Sequence, residues 1–349
     1  MKFVNSLSPS GRQEKVLSAL RGIAISGQYA DGANIFMLEK KFASMMNGRF
    51  SISFNSCGSA LYTLFRYYYS LGHRYVAIQN NTFHATGAMA IEAGLKVFLV
   101  DSSPICPSMG VDALKIVLDG NSKVRLVVMT HVGGWMAKDY ESIATLCNER
   151  NVVLVEDCAH AIGINTHGAY PGMLSDAACW SFYQSGILAS GEGGMITTWE
   201  PELRAFAKAF HSYGRHVNNG ISTYGIGMNL RMSEWDAAVT CVLLDELPAI
   251  LAARKRDHEV LQSIAPCLLL GDNNGYRYPV DPEYAERKQK VPSIYTTHDQ
   301  LATTLPKHSV SLNNISNSVA WASNHCCLPI GEGIYDGMST EEVQKFLVK

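Results

Sequence analysis

Val152-Val153-Leu154-Val155-Glu156-Asp157-Cys158-Ala159-His160-Ala161 is the stretch from which the fold can be read. Four apolar residues, three of them β-branched, predict a central strand buried on both faces. Two carboxylates stand at its carboxyl end, and a histidine follows three residues after Asp157. Carboxylates are rarely buried without a partner, so Asp157 is expected to hold a protonated ring nitrogen, a hydroxyl or a metal. The simpler reading makes Asp157 the cap of the next turn. Working outward, strands are predicted over 74–79, 96–100, 125–130, 152–155, 177–182 and 194–198. Helices are predicted over 59–71, 85–93, 111–118 and 140–150. Short apolar strands alternating with helices specify an α/β fold with a mainly parallel sheet covered on both faces. Ligands of such sheets sit beyond the carboxyl ends of the strands.

Beyond Glu234 the pattern changes. Residues 235–256 read as one long helix, 271–293 are richer in Gly, Asn and Pro, and a last helix follows Ser339. This divides the chain into a large domain, residues 1–245, and a small C-terminal α+β domain, residues 246–349. The 349 residues are 47% apolar and 17% charged, enough to build a core, and the formal net charge of −2 marks no nucleic-acid surface. No run of about 18 apolar residues suggests a membrane span, and residues 1–21 are too polar for a secretory signal. The nine cysteines include no C-x-x-C pair, which predicts a reduced, cytoplasmic protein without structural zinc. His325-Cys326-Cys327 is not expected to bind metal, because adjacent side chains rarely converge on one ion. No other metal ligation is expected.

Three further segments carry polar chemistry. Asn55-Ser56-Cys57-Gly58-Ser59 follows a β-type run and opens a helix, where free amides make an anion cradle. On its own this segment reads more simply as an N-cap by Ser56 or Ser59. Trp180-Ser181-Phe182-Tyr183-Gln184-Ser185-Gly186 ends a strand and leads into Gly191-Glu192-Gly193-Gly194, which lacks dinucleotide-fingerprint spacing. Asn229 and Arg231 stand in irregular chain before the long helix, with Ser233 as its candidate cap; ligand contact and simple solvation weigh equally there.

In order and spacing these segments resemble the DegT-type (DegT/DnrJ/StrS) sugar aminotransferases, fold type I enzymes that use pyridoxal 5'-phosphate. Also carrying the resemblance are Thr82-Phe83-x-Ala85-Thr86, Phe98-Leu-Val-Asp101, Gly227-Met-Asn229-Leu-Arg231-Met, Leu328-Pro329 and Met338-Ser-Thr-Glu-Glu-Val343. The resemblance implies a large domain with a seven-stranded-type sheet, and transfer of an amino group, from glutamate, to a keto sugar linked to a nucleotide. It implies that Asp157 pairs with the pyridinium nitrogen, His160 lies beside the ring, and Phe83 stacks on it. Cys57, Gly58, Ser59 and Ser181 take phosphate-binding positions, although the family usually carries Thr at the place of Gly58. Asn229 matches an Asn that reaches the phosphate of a partner subunit, so the resemblance implies a homodimer with shared active sites.

One departure outweighs the matches. The family carries its Schiff-base lysine five residues after the Ser of Ser181-Phe182, and that position is Gly186. No lysine occurs between Lys138 and Lys208. Any cofactor would then be bound non-covalently, as pyridoxal phosphate, pyridoxamine phosphate or an external aldimine. The reading ranked first is that a natural lysine has been replaced here to trap a reaction complex, leaving the chain inactive or impaired. The alternatives are a lysine-less enzyme such as a sugar dehydratase, in which His160 or His84 serves, and a non-catalytic binding protein. The segment before Leu328-Pro329 is also short for the family, which implies an unusual or smaller substrate.

Overall fold

The computed structural model describes residues 10–166, 168–216, 220–221, 225–284, 294–295, 300–311 and 314–348. Part of the Gly- and Pro-rich segment, 285–293, and the first nine residues of the N-terminal stretch lie outside them.

In chain order the elements begin α1 (Ser10–Ser26), α2 (Ala33–Met45), β1 (Phe50–Phe54), α3 (Cys57–Ser70), β2 (Tyr75–Gln79), α4 (His84–Glu92) and β3 (Lys96–Val100). There follow α5 (Val111–Gly120), β4 (Leu126–Thr130), α6 (Tyr140–Glu149), β5 (Val153–Asp157), β6 (Ala177–Ser181), β7 (Gly194–Thr198) and α7 (Pro201–Phe210). The chain then runs through β8 (Arg215–His216), β9 (Gly220–Ile221), α8 (Glu234–Asp245), α9 (Leu247–Gln262) and β10 (Tyr278–Val280). It ends with α10 (Leu301–Thr304), β11 (Val310–Ser311), α11 (Ser316–Ser323), β12 (Cys326–Leu328) and α12 (Thr340–Val348).

The main sheet has eight strands in the order β1-β7-β6-β5-β4-β2-β3-β11. From β6 to β11 the pairings are parallel, while β7 runs antiparallel to both β6 and β1. The sequence accounts for seven of these strands; the eighth, β11, lies within the stretch assigned to the small domain and pairs with β3. β4 is buried along its whole length, as its apolar run requires. Apolar side chains of α3, α4 and α7 cover one face of the sheet and those of α5 and α6 the other. A separate core of Leu261, Tyr278, Val280, Leu328 and Val343 joins α9, β10, β12 and α12.

Local chemistry fixes the element ends near the strand tips. Ser56 caps α3 by accepting the Ser59 amide at 3.0 Å, and Ser233 caps α8 by accepting that of Asp236 at 3.1 Å; such caps contribute about 1 kcal/mol each. Glu234, 2% exposed, accepts the amides of Gly32, Asn34 and Ile35, so one carboxylate neutralises the start of α2 from the first turn of α8. Gly194 is obligatory: a Cβ there would come within 2.4 Å of the Ser56 carbonyl oxygen and 2.5 Å of the Cys57 nitrogen. Its absence lets β7 press against the α3 turn.

The expectation of one helix over 235–256 is corrected. The helix divides at Glu246, and Pro248 opens α9, where a missing N–H costs nothing. Helices α1, α2, α7, α10 and α11 are not announced by the sequence pattern. The first two pack on α8, so tertiary contact, more than local pattern, defines them.

Candidate active site

The carboxyl ends of β2, β5 and β6, the first turn of α3 and the chain before β10 enclose a cleft of about 660 Å³. Asp157 is the last residue of β5 and is 3% exposed. Its Oδ2 accepts the Thr86 hydroxyl at 2.8 Å and its Oδ1 the Ala159 amide at 3.1 Å. A chain of hydroxyls holds Thr86: Thr82 lies 3.4 Å from it and 2.8 Å from Thr130 at the end of β4. Among the described residues no cation pairs with Asp157. Burial therefore pushes its carboxyl pKa upward, against the pull of Thr86 and Ala159.

Glu156 points to the opposite side of β5, as strand alternation demands. Its Oε2 receives His131 Nε2 at 2.7 Å and the Gly172 amide at 2.7 Å, and its Oε1 receives the Tyr140 hydroxyl at 2.9 Å. Burial alone would raise its pKa; the bonds from His131 and Gly172 outweigh it and hold the group below its ordinary value. Ligand atoms of His131, Glu156 and Cys158 lie within 4.8 Å of one another. His131 Nδ1, however, accepts the Ala137 amide and Nε2 serves Glu156. The cluster is a brace behind the strand tip.

His160 lines the cleft between two tyrosines. Its ring stacks on Tyr276 at 4.4 Å between centroids and on Tyr295 at 5.8 Å. Nδ1 accepts the Gly133 amide at 3.3 Å, which places the ring hydrogen on Nε2, 3.3 Å from the Tyr295 hydroxyl. Burial, then the charge of Arg277, lowers its pKa to about 3. Burial, then Asp157, holds the Tyr295 phenol protonated well beyond its usual range.

At the start of α3, Cys57 and Gly58 line the cleft, and their amides belong to the first turn, whose N–H groups have no carbonyl partner within the helix. Burial, then Asp157, pushes the Cys57 thiol well up. Ser59 does not line the cleft; its hydroxyl donates to Asn55 at 2.6 Å. Ser181 and Phe83 both line it, and Phe83 is 60% exposed. Gly186 lines it too, its amide bonded to the Tyr183 carbonyl at 2.8 Å. Asn229 is exposed and does not line the cleft. Sequence reasoning missed the wall formed by Tyr276, Arg277, Ile294 and Tyr295.

A buried carboxylate with no cation beside it among the described residues, an exposed aromatic face and the amides at a helix start form a coherent set of contacts. They suit a flat, positively charged heteroaromatic ring carrying a phosphate, with Asp157 on the ring nitrogen and α3 on the anion. Among the described lining residues there is no lysine, and Gly186 occupies the position that the family resemblance assigns to one.

The family description DegT/DnrJ/EryC1/StrS aminotransferase matches residues 11–311. The chain is 32% identical over 238 residues to the dTDP-3-amino-3,6-dideoxy-alpha-D-galactopyranose transaminase of Aneurinibacillus thermoaerophilus, covering 67% of this chain and 64% of that one. It is 29% identical over 226 residues to the GDP-perosamine synthase of Caulobacter vibrioides, covering 64% of this chain and 60% of that one. It thus spans somewhat less than two thirds of the length of these two relatives. In fold it is similar to S. venezuelae DesV, with a TM-score of 0.85 at 20% identity over 99% of this chain and 98% of that one.

Proposed function

The chain belongs to the DegT/DnrJ/EryC1/StrS aminotransferase family, and from that premise we propose that it binds pyridoxal or pyridoxamine phosphate and moves an amino group, from glutamate, onto a nucleotide-linked keto sugar. The observation that carries this reading is Asp157, a buried carboxylate that no cation pairs with among the described residues, at the strand tip of a cleft large enough for such a ring. The names of these two relatives, one of them a transaminase, favour a sugar acceptor.

When bound, the cofactor supplies an electron sink for a carbanion at the substrate. The residues of the chain do the rest. Asp157 holds a proton on the ring nitrogen, and Thr86 fixes the carboxylate that does so. Phe83 covers one ring face. The amides of Cys57 and Gly58, with Ser181, receive the phosphate. His160, kept neutral, is a hydrogen-bond donor through Nε2, and the Tyr295 ring beside it keeps water from that wall. Gly186 leaves the cofactor without a covalent tether. It also removes the usual proton carrier, a loss of roughly 10²–10⁴-fold for a general acid–base group.

Asn229 and the exposed Phe36, Tyr213, Ile226 and Met228 favour a homodimer in which each chain completes the other's site. Sedimentation of the purified protein tests this, and a monomer would oppose it.

The cofactor reading is tested by titrating the protein with each cofactor form and following absorbance. Saturable binding that dialysis reverses is expected, and absence of binding by both forms sinks the proposal. Incubation of the pyridoxamine form with keto-sugar nucleotides should yield an amino sugar. A deoxygenated sugar would instead assign the dehydratase alternative.

A further inference from the structure

The described lining of the cleft holds two carboxylates, Asp157 and Glu192, and one permanent cation, Arg277. Arg277 stands just before β10, and its guanidinium lies 4.2 Å from the centroid of the Tyr276 ring. Nη2 donates to the Tyr276 hydroxyl at 3.2 Å. That tyrosine is itself anchored: it is 4% exposed, stacks on His160 at 4.4 Å, and takes Asn274 Oδ1 on its amide at 3.0 Å. Asn274 in turn donates to the carbonyls of His160 and Ile162 at 2.7 and 2.9 Å. The guanidinium therefore rests on a platform tied directly to the turn after β5.

Other buried or half-buried cations have oxygen partners. Arg12 pairs with Glu332, Lys208 with Glu39, and Arg49 donates to the carbonyls of Met173 and Ser175. Among the described residues no carboxylate lies within ion-pair distance of Arg277. Among the described residues one of its five N–H groups finds an acceptor, and its planar fork matches carboxylate and phosphate oxygens. Its charge is felt inside the cleft, where it acts on both His160 and Tyr295. A fixed cation on the wall of a mostly apolar recess, with no acidic partner among the described residues, calls for an anion.

The geometry points to Arg277 as the anion-binding residue of this cleft, receiving the carboxylate or phosphate group of the molecule on which the site acts. This rests on the reading of the cleft as a substrate site. It assigns the anion to the wall before β10, apart from the helix-start amides of α3. A carboxylate would come from the amino donor and a phosphate from the sugar nucleotide.

The test is calorimetric titration of the full chain with L-glutamate, with uridine diphosphate and with inorganic phosphate, repeated on Arg277→Gln and Arg277→Lys. At least one anion is expected to bind the parent and to lose tenfold or more in affinity in Arg277→Gln. Arg277→Lys, which keeps charge but not the fork, should fall between them. Preference for glutamate assigns the donor carboxylate; preference for the diphosphate assigns the nucleotide. No binding of any probe to the parent, or equal binding by all three proteins, overturns the assignment. Pyridoxal phosphate binding, followed separately by absorbance, should survive in Arg277→Gln. If the parent binds anions through Arg277 but never binds the cofactor, the functional reading fails and the anion site stands.

Discussion

The Tyr295 hydroxyl stands 3.3 Å from Nε2 of His160, with the two ring planes inclined by 16°. Because Gly133 occupies Nδ1, the histidine presents a hydrogen on this side, and the tyrosine oxygen accepts it. The phenolic hydrogen is then directed away from His160. With its pKa near 3, His160 is a donor at neutral pH and no reservoir for protons.

That arrangement has a consequence for acid stability. His160 and His211 both have pKa values lowered to about 3, by burial first and by neighbouring cations second. In an unfolded chain a histidine titrates at about 6.5. Between these values the unfolded chain binds more protons, so stability falls as pH drops below about 6.5 and stops falling on this account near pH 3. His160→Gln removes one contribution. The drop in Tm between about pH 7 and about pH 5 should be smaller in this variant than in the parent, and an equal drop would contradict the burial of a neutral ring.

The brace behind the strand tip predicts a large structural cost. Three donors, from His131, Tyr140 and Gly172, converge on the two oxygens of Glu156. In Glu156→Gln the amide nitrogen either opposes the fixed His131 and Gly172 hydrogens or forces the Tyr140 hydroxyl to turn its hydrogen away, and in both cases the charge-assisted bonds are lost. A loss of about 2–4 kcal/mol is expected, read from urea unfolding. A loss below about 0.5 kcal/mol, the scale of surface changes, would show that the network carries no stability.

What the sequence disclosed and what it hid divide along chain distance. Strands β2 to β7 were legible because each is a short apolar run between turn residues. Asp157, Phe83, Cys57 and Gly58 were legible because local motifs surround them. Ser59 belonged to the same motif, yet its hydroxyl is spent on Asn55, a choice between neighbouring acceptors that spacing does not record. Arg277 and Tyr295 reach the cleft from far along the chain. They sit in irregular segments without periodicity, and only the packing of Tyr276 on His160 brings that wall to the strand tip. The division at Glu246 was hidden because apolar spacing continues across it.

Asp157 should show opposed effects on stability and on binding. Its carboxylate is buried without a cation, and its pKa is raised. A raised carboxyl pKa means that the charged form is disfavoured in the folded chain at neutral pH. Asp157→Asn removes that charge; its side-chain oxygen can keep the Ala159 amide, while the Thr86 hydroxyl, free to rotate, accepts from its nitrogen. The cofactor-free variant should melt at the same temperature or higher, while affinity for pyridoxal phosphate falls about 10²-fold, the scale of a charge-assisted hydrogen bond. Thermal melts and absorbance titration read the two effects. Unchanged affinity would remove Asp157 from the ring nitrogen.

Gly186 can be given back an amine. A Cβ built there meets the Tyr183 carbonyl oxygen at 3.2 Å and otherwise only the Ser181 carbonyl at 3.9 Å, and the backbone is not in the left-handed region. A shift of a few tenths of an ångström admits the side chain, so Gly186→Lys should fold with a loss no greater than about 1–2 kcal/mol. The new amine is on a residue that lines the cleft. Pyridoxal phosphate should then be retained through dialysis, with a visible absorbance band that borohydride bleaches. The parent should lose the cofactor under the same treatment. A folded Gly186→Lys protein that releases its cofactor as readily as the parent would mean that the cleft does not hold the aldehyde within reach of this position, and the proposed orientation of the ring would be wrong.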